Sequence, residues 1–217
     1  MSMDREPGEF ATLQRLLRKP APQAPGERCD YCAAPVVPEH GHLIDLQARR
    51  IMCSCRPCYL VFQPSGAAQG RYKTVPTRYE EIDGFALDEG AWERLQIPIG
   101  LAFFFINSIE DRTVALYPGP AGATESELDL SAWNEIVAEH SALGTLEPDV
   151  EAALVLRRNG TTRCFIVPID AAYRLVGVIR LSWKGFDGGE EAWSRIDAFF
   201  AEMHERSNGG VPAGDRW

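Results

Sequence analysis

No stretch of this sequence is apolar for long enough to cross a bilayer. The most apolar run, Ile97–Ile106, is interrupted by Pro98 and Gly100 and falls well short of the roughly 20 residues that a spanning helix needs. Phosphate-cradling loops of the Gly-x-Gly-x-x-Gly or Gly-x-x-x-x-Gly-Lys-Ser/Thr type are absent, which removes the usual signatures of dinucleotide and nucleoside triphosphate binding. The Gly-x-Ser-x-Gly nucleophile turn and the His-Glu-x-x-His metalloprotease helix are absent as well, and no acid–base pair stands out. Positive charge is scarce. Lys and Arg number 22 against 31 Asp and Glu, a net charge of −9, and residues 61–217 hold 14 basic against 24 acidic side chains. Such a surface repels phosphate backbones, which argues against general nucleic-acid binding, while Arg28, Arg49, Arg50 and Arg56 near the cysteines leave a local exception open.

The first residues do not resemble a secretion signal. Acidic residues precede any apolar stretch, and Arg15, Arg18 and Lys19 interrupt the apolar residues that come after them. A cytoplasmic location is therefore expected, where cysteines stay as thiols or bind metal rather than form a disulfide framework.

With 217 residues and 45% hydrophobic content, the chain has room for one ordinary core plus a small module. Composition shifts divide it into a flexible N-terminal segment (1–26), a cysteine-rich module (27–63), an acidic domain (64–206) and a flexible tail (207–217). Within the first segment, Phe10, Leu13, Leu16 and Leu17 have helical spacing over Glu9–Lys19, and the Pro-rich run from Pro20 to Gly26 ends it.

In the acidic part, Leu101–Asn107 and Thr113–Tyr117 read as a hairpin, and Pro118–Ala123 as a loop. Leu130–Leu143 reads as a helix stopped by Gly144. Ala152–Arg158 and Arg163–Val167 form a second hairpin around Asn159-Gly160, a type I′ signal. Tyr173–Trp183 is read as a strand, because Val176, Val178 and Ile179 are β-branched and Gly177 weakens a helix, although Asp170 could cap one. A last helix spans Glu190–His204, with Asp187 and Glu190 resembling a capping box. The stretch Trp183–Gly189 reads as a glycine turn with Trp183 and Phe186 packed inward, the other reading being an aromatic docking loop. The fold class expected is α+β: a treble-clef-like four-cysteine module, then a mainly antiparallel sheet with helices on one face.

Five of the six cysteines lie between positions 29 and 58. Cys29-Asp-Tyr-Cys32 and Cys55-Arg-Pro-Cys58 are two Cys-x-x-Cys pairs separated by 22 residues. Each pair can bite one ion from a tight turn, and together they supply a closed tetrahedral thiolate set. Between them, His42–Leu46 and Arg50–Cys53 can pair as a hairpin around Gln47-Ala48-Arg49. Cys55 then opens a short helix, with Pro57 in its first turn. A knuckle, a hairpin and a Cys-x-x-Cys at a helix start resemble the treble-clef zinc fold. The helix N-terminus should favour the Cys58 thiolate. Cys53 is a possible alternative ligand to Cys55 and is read as a non-ligand neighbour. His40 and His42 are within reach and are read as polar loop residues. Zinc is expected. Iron accepts the same ligands and would make a rubredoxin-like electron carrier, with Tyr31 and Tyr59 shielding the metal. Cys164 reads as core, and His140 and His204 as structural or surface residues.

The Cys29–Cys32 knuckle, the segment Cys53-Ser-Cys-Arg-Pro-Cys-Tyr59, the stretch Gly70-Arg-Tyr-Lys-Thr-Val-Pro76 and the Trp183–Gly189 motif together resemble an uncharacterised bacterial family encoded beside nickel-iron uptake hydrogenases of the actinobacterial type. The resemblance covers residues 27–206. It implies a non-enzymatic accessory or maturation protein that binds a hydrogenase subunit or another maturation factor, and it supplies no catalytic residues. An enzyme of unrecognised type, with its pocket in the acidic domain, is the remaining class; no titratable cluster in the sequence points to one.

Overall fold

The computed structural model describes residues 26–119, 122–126, 131–185 and 188–209. The expectations for Glu9–Lys19, for most of the C-terminal tail and for Phe186 and Asp187 lie outside those residues. Among the described residues, two antiparallel sheets and five α-helices make an α+β fold, and no helix is long and apolar enough to cross a membrane.

The N-terminal sheet has three strands in the order β2-β1-β3: β1 (Gly41–Asp45), β2 (Arg50–Ser54) and β3 (Tyr72–Thr74). The β1–β2 turn is tied by the buried Asp45 carboxylate, whose Oδ1 accepts from the N–H groups of Gln47 and Ala48. Arg71, from the approach to β3, clamps the same carboxylate at 2.6 Å. Helix α1 (Arg56–Phe62) follows β2 at once, with Cys55 as its N-cap and Pro57 in the first turn, where the missing N–H costs nothing. Leu43, Met52 and Phe62 form a small buried cluster there.

The second sheet has six strands in the order β4-β9-β8-β5-β6-β7. They are β4 (Glu80–Glu81), β5 (Leu101–Asn107), β6 (Arg112–Gly119), β7 (Gly122–Glu125), β8 (Glu151–Arg158) and β9 (Thr161–Pro168). Asn159 and Gly160 both have positive φ, 52° and 76°, as the type I′ turn between β8 and β9 requires.

Strand alternation gives this sheet two apolar faces. On one, Ala102, Phe104, Ala153, Val155 and Ile166 meet α2 (Glu89–Leu95) and α3 (Ser131–Glu139) through Trp92, Leu95, Trp133 and Ile136. The Trp133 ring lies flat on Phe104 at 3.8 Å. On the other, Leu101, Phe103, Leu154, Phe165 and Val167 meet α4 (Ile169–Ser182) and α5 (Gly189–Ser207). Ile44 of β1 and Val75, just after β3, are buried in that same cluster, so the N-terminal sheet packs beside α4 on this face.

Several expectations are corrected. Helices cover both faces of the large sheet, because every central strand is apolar on both sides. Tyr173–Trp183 is not a strand: Ile169–Ser182 is helical, with Ile169, Ala172, Leu175, Val176 and Ile179 buried at helical spacing. Packing of that stripe against the sheet overrides the β preference of its branched residues, and a Cβ at Gly177 would meet nothing. The Pro118–Ala123 segment is not simply a loop, since β6 runs to Gly119 and pairs with β7. The Leu130–Leu143 helix is also divided, with α3 ending at Glu139 and a 3-10 turn following at Ser141–Thr145.

Candidate metal centre

The first cysteine pair sits in a knuckle that the backbone builds. Arg28 bridges to Pro35, the Ala33 N–H donates to the Cys29 carbonyl at 2.8 Å, and Ala33 takes a left-handed conformation at φ 61°. That turn brings the Cys29 and Cys32 side chains round to one side. The knuckle is pinned to β2 by a reciprocal pair: the Asp30 N–H donates to the Cys53 carbonyl at 2.9 Å, and the Cys53 N–H to Asp30 Oδ2 at 2.7 Å. The second pair comes from the start of α1, Cys55 at the N-cap and Cys58 three residues on. This is the treble-clef order of knuckle, hairpin and helix.

The Sγ atoms of Cys29, Cys32, Cys55 and Cys58 all lie within 4.8 Å of one another, with Cys32 and Cys55 3.5 Å apart. Tetrahedral thiolates at about 2.3 Å from an ion stand about 3.8 Å apart. All four are free thiols. The cluster can therefore hold a metal ion, and its donor set suits zinc and iron alike.

The electrostatics favour a cation. Burial raises the Cys29 thiol, but the backbone N–H groups of Cys55, Cys32 and Tyr31, with the Cys32 side chain, outweigh it and bring it down to about 6. Cys58 moves the other way, pushed up by burial and then by Cys55, Cys32 and Cys29. Cys55 is lowered by the Cys58 N–H yet ends raised, through burial and its contact with Cys32. Without an ion, burial first and the neighbouring sulfurs second outweigh any gain of Cys58 from the helix terminus, since crowded thiols cannot all ionise without a compensating charge. A cation held by Cys29, Cys32, Cys55 and Cys58 would supply that charge and favour the thiolate form of all four.

Cys53 stands apart from this set. It lies opposite His42 in the β1–β2 register and groups with His40 and His42 rather than with the four sulfurs. Burial raises its thiol, followed by the charges of Glu27, Asp30 and Cys29. The sequence reading of His40 and His42 as loop residues misses this grouping. The i, i+2 spacing that puts both on one face of an extended segment was the available signal.

The other residues singled out fall in structural places. Cys164 is fully buried in the core, and burial drives its thiol far up, which suits packing rather than nucleophilic chemistry. His140 lies against Phe85, and His204 bonds Glu81. Trp183 packs on the large core, and a Cβ at Gly188 would strike its ring at 3.0 Å. No curated protein and no solved structure matches the chain, whereas the model of a family of unknown function, DUF5947, matches residues 28–207.

Proposed function

The chain belongs to DUF5947, a family of unknown function, and we propose that it is a non-enzymatic accessory protein of nickel-iron hydrogenase maturation, stabilised by zinc in its four-cysteine cluster. Four protein thiolates leave no open coordination position, so an ion there serves structure rather than hydrolysis. The observation that carries a binding role is a groove of about 470 Å³ between the N-terminal sheet and the large sheet. Ile44, Leu46 and Ile51 form one wall and Phe105, Val114 and Tyr173 the other. Ion pairs of Glu110 with Arg49 and Arg112 lie at its edge, beside the exposed side chain of Ile109. An apolar floor with a charged rim suits a protein partner. The metal holds the wall that carries β1 and β2. The hydrogenase assignment rests on the sequence motifs of the cysteine module, Gly70–Pro76 and Trp183–Gly189, and a cytoplasmic location with reduced thiols goes with that role.

Affinity capture from cells expressing the hydrogenase tests the reading. The wild type should recover a hydrogenase subunit or maturation factor, and Ile109→Glu should lose it. Recovery of no hydrogenase-related protein by the wild type refutes the role. One observation favours electron transfer by an iron centre instead: Cys32 is exposed, beside the exposed ring of Tyr31, which would let electrons leave the site. Elemental analysis separates the two. Zinc and no iron in the purified protein removes the electron carrier; a red, iron-loaded protein removes the zinc.

A further inference from the structure

We propose that His40, His42 and Cys53 form a second metal site, separate from the four-cysteine cluster, that binds Zn²⁺ or a similar first-row divalent ion through two imidazoles and one thiolate. One ligand atom from each of the three side chains lies within 4.8 Å of those from the other two. The hairpin register produces this grouping. His42 and Cys53 are directly paired across β1 and β2, so their side chains leave the same face. His40 lies two residues before His42, and their rings stand 4.8 Å apart. Ligand atoms on a tetrahedral ion at about 2.0–2.3 Å are about 3.3–3.8 Å apart, so small side-chain rotations close the set.

The hydrogen bonds around the histidines prepare both rings for metal. His42 Nδ1 is 2.7 Å from Asp170 Oδ2, and His40 Nδ1 is 2.8 Å from the Val37 carbonyl. In each case Nδ1–H is the donor to an oxygen acceptor, which leaves the lone pair on Nε2. The carboxylate–histidine pair is the arrangement that orients metal-binding imidazoles. His40 supplies the independent sign of a ligand. Its side chain is only 6% exposed, and its Nε2 is buried with no hydrogen-bond partner, a state buried polar atoms rarely keep. Glu27 and Asp30, near Cys53, add negative charge that a cation would offset.

Three protein ligands leave a fourth position. His40, His42 and Asp170 line a cleft of about 400 Å³, together with Thr77, Tyr79 and Arg174. Water or a small anion entering there would complete the coordination. Ion binding deprotonates Cys53 and releases its proton to solvent.

Metal titration of the full-length protein with Zn²⁺, and with Co²⁺ as a spectroscopic probe, tests this. His42→Gln and His40→Gln should each bind one equivalent fewer than the wild type, with near-ultraviolet circular dichroism and the four-thiolate cobalt charge-transfer band unchanged. Cys53→Ser should bind the same equivalent more weakly and lose one sulfur–cobalt transition. Asp170→Asn, acting through His42, should weaken it about 10- to 100-fold. If the two histidine variants bind as many equivalents as the wild type with equal affinity, the site does not exist. The same holds if the lost equivalent takes the four-thiolate band with it.

Discussion

Replacing Cys55 and Cys58 by serine removes two of the four sulfurs that converge at the start of α1. The expected result is loss of the metal together with loss of local order in residues 27–63, while residues 85–206 stay folded. Three side chains are buried in the small cluster beside the cysteines: Leu43, Met52 and Phe62. At about 1.5–3 kcal/mol each, they supply roughly 5–9 kcal/mol of gross stabilisation. A structural zinc ion contributes about 10–16 kcal/mol at neutral pH in small peptides, so zinc bound at the four cysteines would stabilise this region more than apolar burial does. The knuckle and α1 depend on it most. β1 and β3 keep anchors in the large core through Ile44 and Val75 and in the Lys73–Asp149 ion pair. The six-stranded sheet keeps both of its apolar layers. Hydrogen exchange on the full chain should show amides of the knuckle and α1 falling close to intrinsic rates, β1 and β2 losing protection less steeply, and β5, β8 and β9 unchanged. Loss of protection throughout the chain would refute the division into two units and make the molecule one cooperative fold.

Three other contacts give measurable outcomes. Gly100→Ala places a Cβ 2.1 Å from the Arg157 carbonyl oxygen, a backbone clash that should cost about 1–3 kcal/mol and lower Tm by several degrees; an unchanged thermal melt would contradict that packing. Trp133→Ala empties the space against Phe104 on the face away from the cysteines. It should cost about 3–5 kcal/mol in urea unfolding with the metal content unaltered, and a co-varying metal content would be the contrary result. The Asp45 carboxyl is held below its ordinary value by the Arg71 guanidinium and by the Ala48 and Gln47 N–H groups, against burial that raises it. Its folded pKa being depressed, it stabilises above the unfolded value of about 3.9, and that contribution is lost as pH falls through the folded value. Asp45→Asn should therefore flatten the decline in stability below about pH 4, and an unaltered slope between variant and wild type would show that this carboxylate is not the sensor.

The elements most legible in the sequence were those fixed by local rules. Asn159-Gly160 dictated a type I′ hairpin through its positive φ angles. The alternation around it gave β8 and β9. The two Cys-x-x-Cys pairs carried their own turn chemistry, and the structure brings those four sulfurs together. Strand versus helix at Ile169–Ser182 was a different matter. Its β-branched residues and Gly177 argued one way locally, and only the apolar layer of the large sheet beneath it decided the other.

Tertiary structure also decided the neighbourhoods that periodicity cannot report. That Ile44 and Val75 join the large core depends on where the N-terminal sheet docks. The pairing of His42 with Asp170, 128 residues away in sequence, depends on α4 lying beside β1. The place of Cys53 was ambiguous by spacing alone, since alternation points it the same way as Cys55. Cys55 escapes that alternation because β2 ends at Ser54 and α1 begins at Arg56; the change of backbone direction at the helix cap swings one sulfur into the four-cysteine cluster and leaves the other facing the histidines.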